Sequence, residues 1–403
     1  MFNLSEIFFL LYIIKNMGGG LMQLVAYGAQ DVYLTGNPQI TFFKVVYRRH
    51  TNFAMESIEQ TMTGSQAVSG KSTVTISRNG DLVGRVYLQN KSSGAAADAS
   101  IENQGYNIID NVVCEIGGQQ VDKQYGHWME VWAELTEPNE IGHIAAAANL
   151  GDTLPVGTSA SNDNVLATGT KFQRMSGAGG VAVGTLHTNT YHIPLHFWFC
   201  RNPGLALPLI ALQYHEVKLI ISFNAAKHAT QQTVSVWSDY IYLDTDERRR
   251  FAQVSHEYLI EQVQHSSFSA GKTHDLTFNH PVKELIWTGA RDAATFTPAA
   301  LTGDFNLKLN GHDRMYARDF TYFTRCQVHA YHTGFGGVSE RDSIGVYSFA
   351  LKPEEHQPSG TCNFSRIDNA QLVTSTGLAH EVYAVNYNVL RVMSGMGGLA
   401  YSN

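Results

Sequence analysis

The sequence predicts an all-β protein built from two consecutive units of similar design. Three observations lead to this prediction: a repeated strand pattern, many short strand-like segments with almost no helical periodicity, and a length of 403 residues. A single hydrophobic core stops growing at roughly 250–300 residues, so a chain of this length is expected to form two domains. Short strands separated by turn residues are typical of sandwiches and jelly rolls.

The repeat consists of a strand, a crossing rich in proline and glycine, and a second strand. The strands of the two copies are Tyr191–Phe199 with His215–Phe223, and Ile344–Leu351 with Gln371–Thr374. Another pair of segments agrees, since Cys114–Gln119 and Lys308–His312 both place a glycine turn inside alternating β-type sequence. A unit that occurs twice in one chain indicates duplication, and this unit is all-β.

The composition favours a protein that buries surface against other copies. Apolar residues make up 44% of the chain and charged residues only 16%, against roughly 25% in typical soluble domains. Because the cores of interfaces are depleted in charge, this composition predicts an obligate oligomer. The net charge of −7 argues against nonspecific binding of nucleic acid. The four cysteines lie far apart, which fits buried thiols in a reduced compartment better than disulfides or a zinc site.

Several local elements can be predicted. Asn79-Gly80 lies between the strand-like segments Thr73–Ser77 and Leu82–Leu88, which predicts a hairpin with a type I′ turn. A helix is expected at His127–Thr136, where apolar side chains recur on one face, and a helical connector at Asp246–Gln253. The polar region 138–189 is rich in small residues and is expected to form long excursions from one end of a sandwich.

Motifs that would indicate catalysis or cofactor binding are weak. Gly64–Ser72 resembles a phosphate-binding loop, but it has one residue too many between its glycines and leads into a strand rather than a helix. Three His-Glu pairs, at 215–216, 256–257 and 380–381, lie at apparent strand starts, where adjacent side chains point to opposite faces. We therefore expect no catalytic residue, no cofactor and no metal, although the sequence leaves open a carboxylate pair of the glycosidase type assembled in space.

One modification site is a candidate. Asn3, Asn90 and Asn363 each begin an Asn-x-Ser motif for N-glycosylation. Of these, Asn90 at the start of the polar Asn90–Ser100 segment is expected to lie in an accessible loop.

Segments spread from Gly18 to the C-terminus carry a family resemblance. They are Gly18–Pro38, Phe42–Arg49, Ile76–Leu82, Pro203–Lys218, His256–Glu261, Pro358–Asn369 and Asn386–Tyr401. Together they resemble the major capsid protein of large nucleocytoplasmic DNA viruses, particularly those of algal viruses.

The resemblance implies a double jelly roll, which is two consecutive eight-stranded jelly rolls with few short helices. It divides the chain into an N-terminal extension and arm (1–41), a first jelly roll (42–245) and a second jelly roll (246–403). It also implies a homotrimer whose six jelly rolls form a pseudo-hexagonal capsomer in an icosahedral shell, assembled in the host cytoplasm. The expected partners are neighbouring capsomers, minor capsid and vertex proteins and, through the arm, an internal viral membrane, without direct contact to nucleic acid.

Two functional alternatives remain at this point. A carbohydrate-binding or glycoside-cleaving β-sandwich protein would share the predicted strands, and a minor or vertex capsid component usually needs only one jelly roll. Residues 1–16 precede the usual start of the family, so we expect translation to begin at Met17. In the alternative hypothesis, the apolar run Ile7–Ile14 is a short anchor in the membrane interface.

Overall fold

The computed structural model describes residues 23, 24, 26, 28–92, 103–138, 170–180, 190–224, 232–291, 298–337 and 342–401. The chain separates into two compact units, Met1–Thr51 and Asn52–Asn403. Within its described part, the first unit contains the one-turn helix Val32–Thr35 and a segment with exposed aromatic side chains. The predictions for residues 1–16 lie outside the described residues. Among those described, no helix is long and apolar enough to cross a membrane.

The first half of the larger unit is a sandwich of two antiparallel sheets. Its strands are β1 (Phe53–Gln60), β2 (Met62–Gly64), β3 (Lys71–Thr75), β4 (Leu82–Ser92), β5 (Ile109–Ile116), β6 (Gln119–Tyr125), β7 (Thr190–Pro194), β8 (Leu207–Pro208), β9 (Val217–Phe223) and β10 (Gln232–Leu243). One sheet has the order β1-β10-β4-β7 with β8 beside β4, and the other has the order β2-β3-β9-β5-β6.

The second half is a sandwich of the same kind. Its strands are β11 (His256–Phe268), β12 (Thr273–Asp275), β13 (Pro281–Gly289), β14 (Asp304–Leu309), β15 (His312–Asp313), β16 (Arg318–Asp319), β17 (Ile344–Ser348), β18 (Cys362–Asn363), β19 (Ala370–Thr374), β20 (His380–Met393) and β21 (Met396–Leu399). Its sheets have the orders β11-β20-β13-β17 and β12-β19-β14-β15, with the remaining short strands beside them.

Eight strands of each sandwich share the same topology. Strands β1, β10, β4 and β7 correspond to β11, β20, β13 and β17, and β3, β9, β5 and β6 correspond to β12, β19, β14 and β15. The repeated segments of the sequence occupy matching places, since β7 and β9 correspond to β17 and β19. The structure therefore confirms the predicted duplication, and each half is a jelly roll.

Short helices lie in the connections. They are Gln104–Asn107, Gly126–Thr136, Lys171–Ser176, Trp198–Arg201, Thr245–Gln253 and Val328–Tyr331, with 3₁₀ turns at Pro203–Leu205 and Phe364–Arg366 and a π-helical segment at Tyr322–Gln327. The helix predicted at His127–Thr136 is confirmed, and so is the helical connector. The excursions predicted for 138–189 lie largely outside the described residues.

The hairpin predicted at Asn79-Gly80 is wrong. Strands β3 and β4 belong to different sheets, and neither Asn79 nor Gly80 has the positive φ of a type I′ turn. The segment instead crosses between the sheets, and a Cβ on Gly80 would lie 2.8 Å from Cβ of Tyr240. Turns with two positive φ angles occur at the equivalent β5–β6 and β14–β15 connections, where the second is formed by Asn310 (51°) and Gly311 (78°).

Candidate assembly site at the junction of the two jelly rolls

The helix Gly126–Thr136 follows β6 of the first jelly roll and lies against the second. The Trp128 ring is 5.2 Å from that of Tyr383 on β20, and Nε2 of His127 is 3.1 Å from Oγ1 of Thr288 on β13. Every residue from 126 to 135 is buried, including the faces that an amphipathic surface helix would expose. We call the surface formed by this helix and its contacts the junction.

The second jelly roll presents the outer face of its β11-β20-β13-β17 sheet to this helix. Along β13, Leu285 and Trp287 belong to the core of the second jelly roll, whereas Ile286 joins the cluster that contains the first core. Strand β20 alternates in the same way, with Ala384 facing inward and Tyr383 facing the junction. Because side chains alternate along a strand, the continuous buried run from Val282 to Gly289 on β13 shows that both faces of this sheet are covered there.

A buried charge cluster crosses the junction. One oxygen of Glu261 on β11 is 2.8 Å from Nζ of Lys283 and 3.4 Å from Nδ1 of His356, and its other oxygen is 2.8 Å from Nη1 of Arg201. The side chain of Lys283 is fully buried and that of Glu261 is 5% exposed. Burial alone would raise the pKa of Glu261, but the hydrogen bond from His356 and the charges of Arg201 and Lys283 lower it to about 2. Glu261 is therefore ionised and ties the two jelly rolls together.

Arg201 connects this cluster to the first jelly roll. Its Nε donates a hydrogen bond to the carbonyl oxygen of His196 at 2.9 Å, and its guanidinium lies 4.7 Å from the ring centre of Trp132. A guanidinium over an indole is a favourable cation–π arrangement, strengthened by removal from water. The side chain is thus positioned by both the first jelly roll and the junction helix.

A second polar cluster surrounds His332. Its Nε2 is 3.1 Å from an oxygen of Glu284, and its Nδ1 is 3.2 Å from an oxygen of Glu354. The side chain is fully buried. Burial would lower the pKa of His332, but the charge and hydrogen bond of Glu284, followed by those of Glu354, raise it to about 9. His332 is therefore protonated at neutral pH, and its imidazolium lies between the side chains of Glu284 and Glu354.

The residues after His332 cap the C-terminal end of the junction helix. The amide of Gly334 donates to the carbonyl oxygen of Leu135 at 2.7 Å, and the amide of Gly336 donates to that of Glu134 at 2.9 Å. The hydroxyl of Thr333 donates to the carbonyl oxygen of Thr136 at 3.0 Å. The last carbonyls of a helix have no partner within the helix, so these donors from the second jelly roll satisfy them.

Strand β6 meets the edge of β11 through side chains rather than a backbone ladder. An oxygen of Asp122 accepts a hydrogen bond from the amide of Val263 at 3.2 Å, and the Gln262 side chain donates to the carbonyl oxygen of Val121. Burial raises the pKa of Asp122 to about 6, although hydrogen bonds from Gln124 and the backbone act in the opposite direction. The edge of β11 is thereby covered within the chain.

The His-Glu pairs of the sequence do not form sites. His380 faces His274 in the second core, with ring centres 5.3 Å apart, while its neighbour Glu381 points away and binds His265 and Ser267. The hydroxyl of Ser267 bonds the carboxylate and not the histidine, so the cluster lacks the contact that activates a serine nucleophile. In the part of the chain that the structure describes, no group of three or more His, Cys, Asp or Glu residues could hold a metal ion.

The expectation that Asn90 lies in an accessible loop is wrong. Asn90 is part of β4, pairs with Val234 and is 1% exposed, because its side chain points into the first sandwich. By contrast, Asn363 on β18 is exposed, and its side-chain oxygen accepts a hydrogen bond from the amide of Ser365. The predicted end of β4 was too early because the polar run Asn90–Ser92 resembles a loop. The third motif, at Asn3, lies outside the described residues.

Comparison with known proteins identifies the family. The model "Major capsid protein N-terminus" matches residues 41–244, and the model "Large eukaryotic DNA virus major capsid protein" matches residues 247–398. The chain belongs to the major capsid proteins of large eukaryotic DNA viruses. This is a family of structural proteins, so the chain is a capsid protein and not an enzyme, and the alternative of a sugar-binding or sugar-cleaving sandwich is wrong.

Individual relatives agree with this assignment. The chain is 50% identical over 418 residues to the major capsid protein of Pyramimonas orientalis virus, which covers 96% of this chain and 100% of the relative. It is 40% identical over 470 residues to that of Paramecium bursaria Chlorella virus 1, with the same coverage. The crystal structure of PBCV-1 VP54 matches with a TM-score of 0.71 and 36% identity, covering 90% of this chain and 100% of that one. The double jelly roll predicted from the sequence is confirmed.

Proposed function

We propose that the chain forms a homotrimer whose six jelly rolls make a pseudo-hexagonal capsomer, and that these capsomers tile an icosahedral shell. The observation that carries this proposal is the asymmetry of the junction. The first jelly roll contributes a helix, and the second contributes the outer face of a sheet. Because both jelly rolls have the same topology, the second keeps a helical connection and the first keeps an outer sheet face for other copies.

An interface between two different surfaces of one protein gives a ring when the rotation from copy to copy closes, and an open filament when it does not. Closure after three chains gives six jelly rolls in a ring, alternating between first and second. For this proposal we keep the divisions 1–41, 42–245 and 246–403, because each of the last two contains the eight corresponding strands of one jelly roll with further short strands beside them, although the compact N-terminal unit extends to Thr51. Within each chain, the ion pair of Arg201 with Glu261 and the hydrogen bond from Thr333 to Thr136 join the two jelly rolls.

Sedimentation of the purified protein tests the trimer. We expect a particle of about three times the chain mass of 44.5 kDa. A stable monomer at micromolar concentration in moderate salt would contradict the proposal. The low charge content leads us to expect that the trimer resists moderate salt, because apolar contacts are not screened by ions.

We further propose that the N-terminal unit contacts an internal viral membrane. Phe42, Phe43 and Tyr47 are 87%, 98% and 86% exposed, and Lys44 and Arg48 are their neighbours in the sequence. Aromatic and basic side chains together favour the interface of an anionic membrane. We expect the full-length protein to sediment with anionic vesicles and a Phe42→Ser/Phe43→Ser variant to remain largely in solution. Equal binding of both proteins would show that Phe42 and Phe43 do not carry the membrane contact, and no binding by the full-length protein would favour minor capsid or vertex proteins as the partners of the N-terminal unit. The acidic net charge makes nucleic acid an unfavourable partner.

A further inference from the structure

The chain contains two Asn-Gly dipeptides, Asn79-Gly80 and Asn310-Gly311, and the structure holds them in different ways. Asn-Gly is the dipeptide most prone to spontaneous deamidation, because glycine has no Cβ that shields its amide nitrogen from the preceding side chain. In this reaction the glycine nitrogen attacks Cγ of asparagine, a new C–N bond closes a succinimide ring, and ammonia leaves. Water then opens the ring to aspartate or isoaspartate, so the side chain becomes a carboxylate.

The second dipeptide is held in a hairpin. Asn310 and Gly311 form the β14–β15 turn, with φ angles of 51° and 78°. The side-chain oxygen of Asn310 accepts a hydrogen bond from the amide of Asn369 at 3.1 Å, and the amide of Asn310 donates to the carbonyl oxygen of Asn369 at 2.6 Å. The side chain must give up this contact before its Cγ can turn toward the nitrogen of Gly311.

The first dipeptide lies in the crossing 76–81 between β3 and β4. Asn79 is exposed, and neither Asn79 nor Gly80 has a positive φ. Among the described residues, neither the Asn79 side chain nor the Gly80 amide makes a hydrogen bond. The dipeptide lines a cavity of about 470 Å³ that opens to solvent, so water has access to a ring formed there. The Gly80 nitrogen can therefore attack Cγ of Asn79 without the loss of a contact.

The residues on both sides of this dipeptide are fixed. Before it, Nη2 of Arg78 donates a hydrogen bond to the carbonyl oxygen of Leu212 at 2.6 Å. After it, the Asp81 carboxylate accepts a hydrogen bond from the amide of Leu243 at 2.8 Å and lies 2.9 Å from Nε of Arg248. Isoaspartate adds one carbon to the main chain between these fixed points, so its formation strains the contacts on both sides.

We propose that Asn79 is a site of spontaneous deamidation in the folded protein, and that isoaspartate formed there destabilises the crossing between β3 and β4. Asn310 has the same following residue and is protected by its hairpin. The reaction needs only water and the chain itself. This inference concerns a single chain and does not depend on the proposed trimer.

Peptide mass spectrometry after prolonged incubation at mildly alkaline pH tests the site. A protease that cuts after lysine releases the two dipeptides in separate peptides, 72–91 and 309–352, so each sample contains its own control. In the folded protein, conversion of amide to acid should be several-fold faster at Asn79 than at Asn310. In protein kept unfolded in urea, both should convert at similar rates, because both precede glycine. Conversion at Asn79 that is no faster than at Asn310 in the folded protein would overturn the proposal.

The stability of incubated protein tests the consequence. Incubated wild type should unfold at a lower urea concentration than fresh wild type, whereas incubated Asn79→Ser should keep the midpoint of its fresh sample. Fresh Asn79→Asp adds the charge without lengthening the main chain, so its midpoint should stay close to that of fresh wild type. An equal loss in incubated Asn79→Ser, or an equal loss already present in fresh Asn79→Asp, would overturn the proposed effect of isoaspartate.

Discussion

Replacing Glu261 by glutamine removes the negative charge that contacts Arg201, Lys283 and His356 at the junction. Glutamine keeps the size of the side chain and one oxygen acceptor, so the change is electrostatic rather than steric. The Lys283 ammonium, whose side chain is fully buried, then lacks its counter-ion. We expect Glu261→Gln to destabilise the protein strongly, because a buried charge without a partner is costly.

Two independent calculations of the stability lost in Glu261→Gln agree. The pKa of Glu261 falls from 4.5 to about 2, and at about 1.4 kcal/mol per pH unit this corresponds to roughly 3 kcal/mol of stabilisation of the ionised form. Removing one partner of a buried ion pair typically costs about 3–5 kcal/mol. Because the folded-state pKa is lowered, this stabilisation is present above pH 4.5 and is lost as the pH falls through the range from 4.5 to about 2.

Urea unfolding at neutral pH measures the change in the free energy of unfolding. All proteins are compared at the same concentration, so that assembly contributes equally to each measured stability. The matched control is Glu257→Gln on the same strand, where the carboxylate is 60% exposed and lies 2.8 Å from Nε of Arg391. An exposed pair contributes about 0–1 kcal/mol, so the control should unfold close to the wild type. If both variants lost the same small amount, the account of the junction as a buried ionic tie would be refuted.

Three further predictions concern single residues. Gly80→Ala should cost about 1–3 kcal/mol in urea unfolding, since its Cβ would press on Tyr240, and an unchanged midpoint would contradict this reason. His332→Gln should lower the free energy of unfolding by about 3 kcal/mol at pH 6.5. In the wild type, the stabilisation by the protonated histidine is present below pH 6.5 and is lost as the pH rises through about 9, whereas the stability of the variant should not fall over this range. Burial lowers the pKa of His196 to about 3, so the stability of the wild type should decrease as the pH falls below 6.5. The melting temperature of His196→Gln should depend less on pH in this range, and an equal dependence in both proteins would refute the prediction.

Much of the fold could be predicted from local sequence, because strand alternation and turn residues act over short distances. The repeated strand pairs, the junction helix and the connector helix were all predictable in this way. The turn assignment failed at Asn79-Gly80, where the dipeptide favours a hairpin but the flanking strands pair with β9 and β10 instead. Strand pairing depends on long-range contacts, which override a local turn preference.

The junction was less predictable than the fold. Residues such as Glu261, Lys283 and His332 are unremarkable in sequence, because charged residues are usually exposed and nothing local marks them as buried. A signal did exist in β20, where Val382–Val385 is apolar at every position and thus indicates burial on both faces. This pattern predicts that the sheet is covered on both faces, but it does not identify the element that covers it.

By itself, the sequence determined an all-β, duplicated, charge-poor chain and, through its resemblance, a capsid protein with two jelly rolls. Only the tertiary structure decided that the jelly rolls meet helix against sheet, that Asn90 is buried, and that one carboxylate joins cations from both halves. The physical reason is the distance along the chain over which each property is determined. Periodicity and turn chemistry depend on neighbours along the chain, whereas burial and pKa depend on groups such as Arg201 and Glu261, which are brought together only when the chain folds.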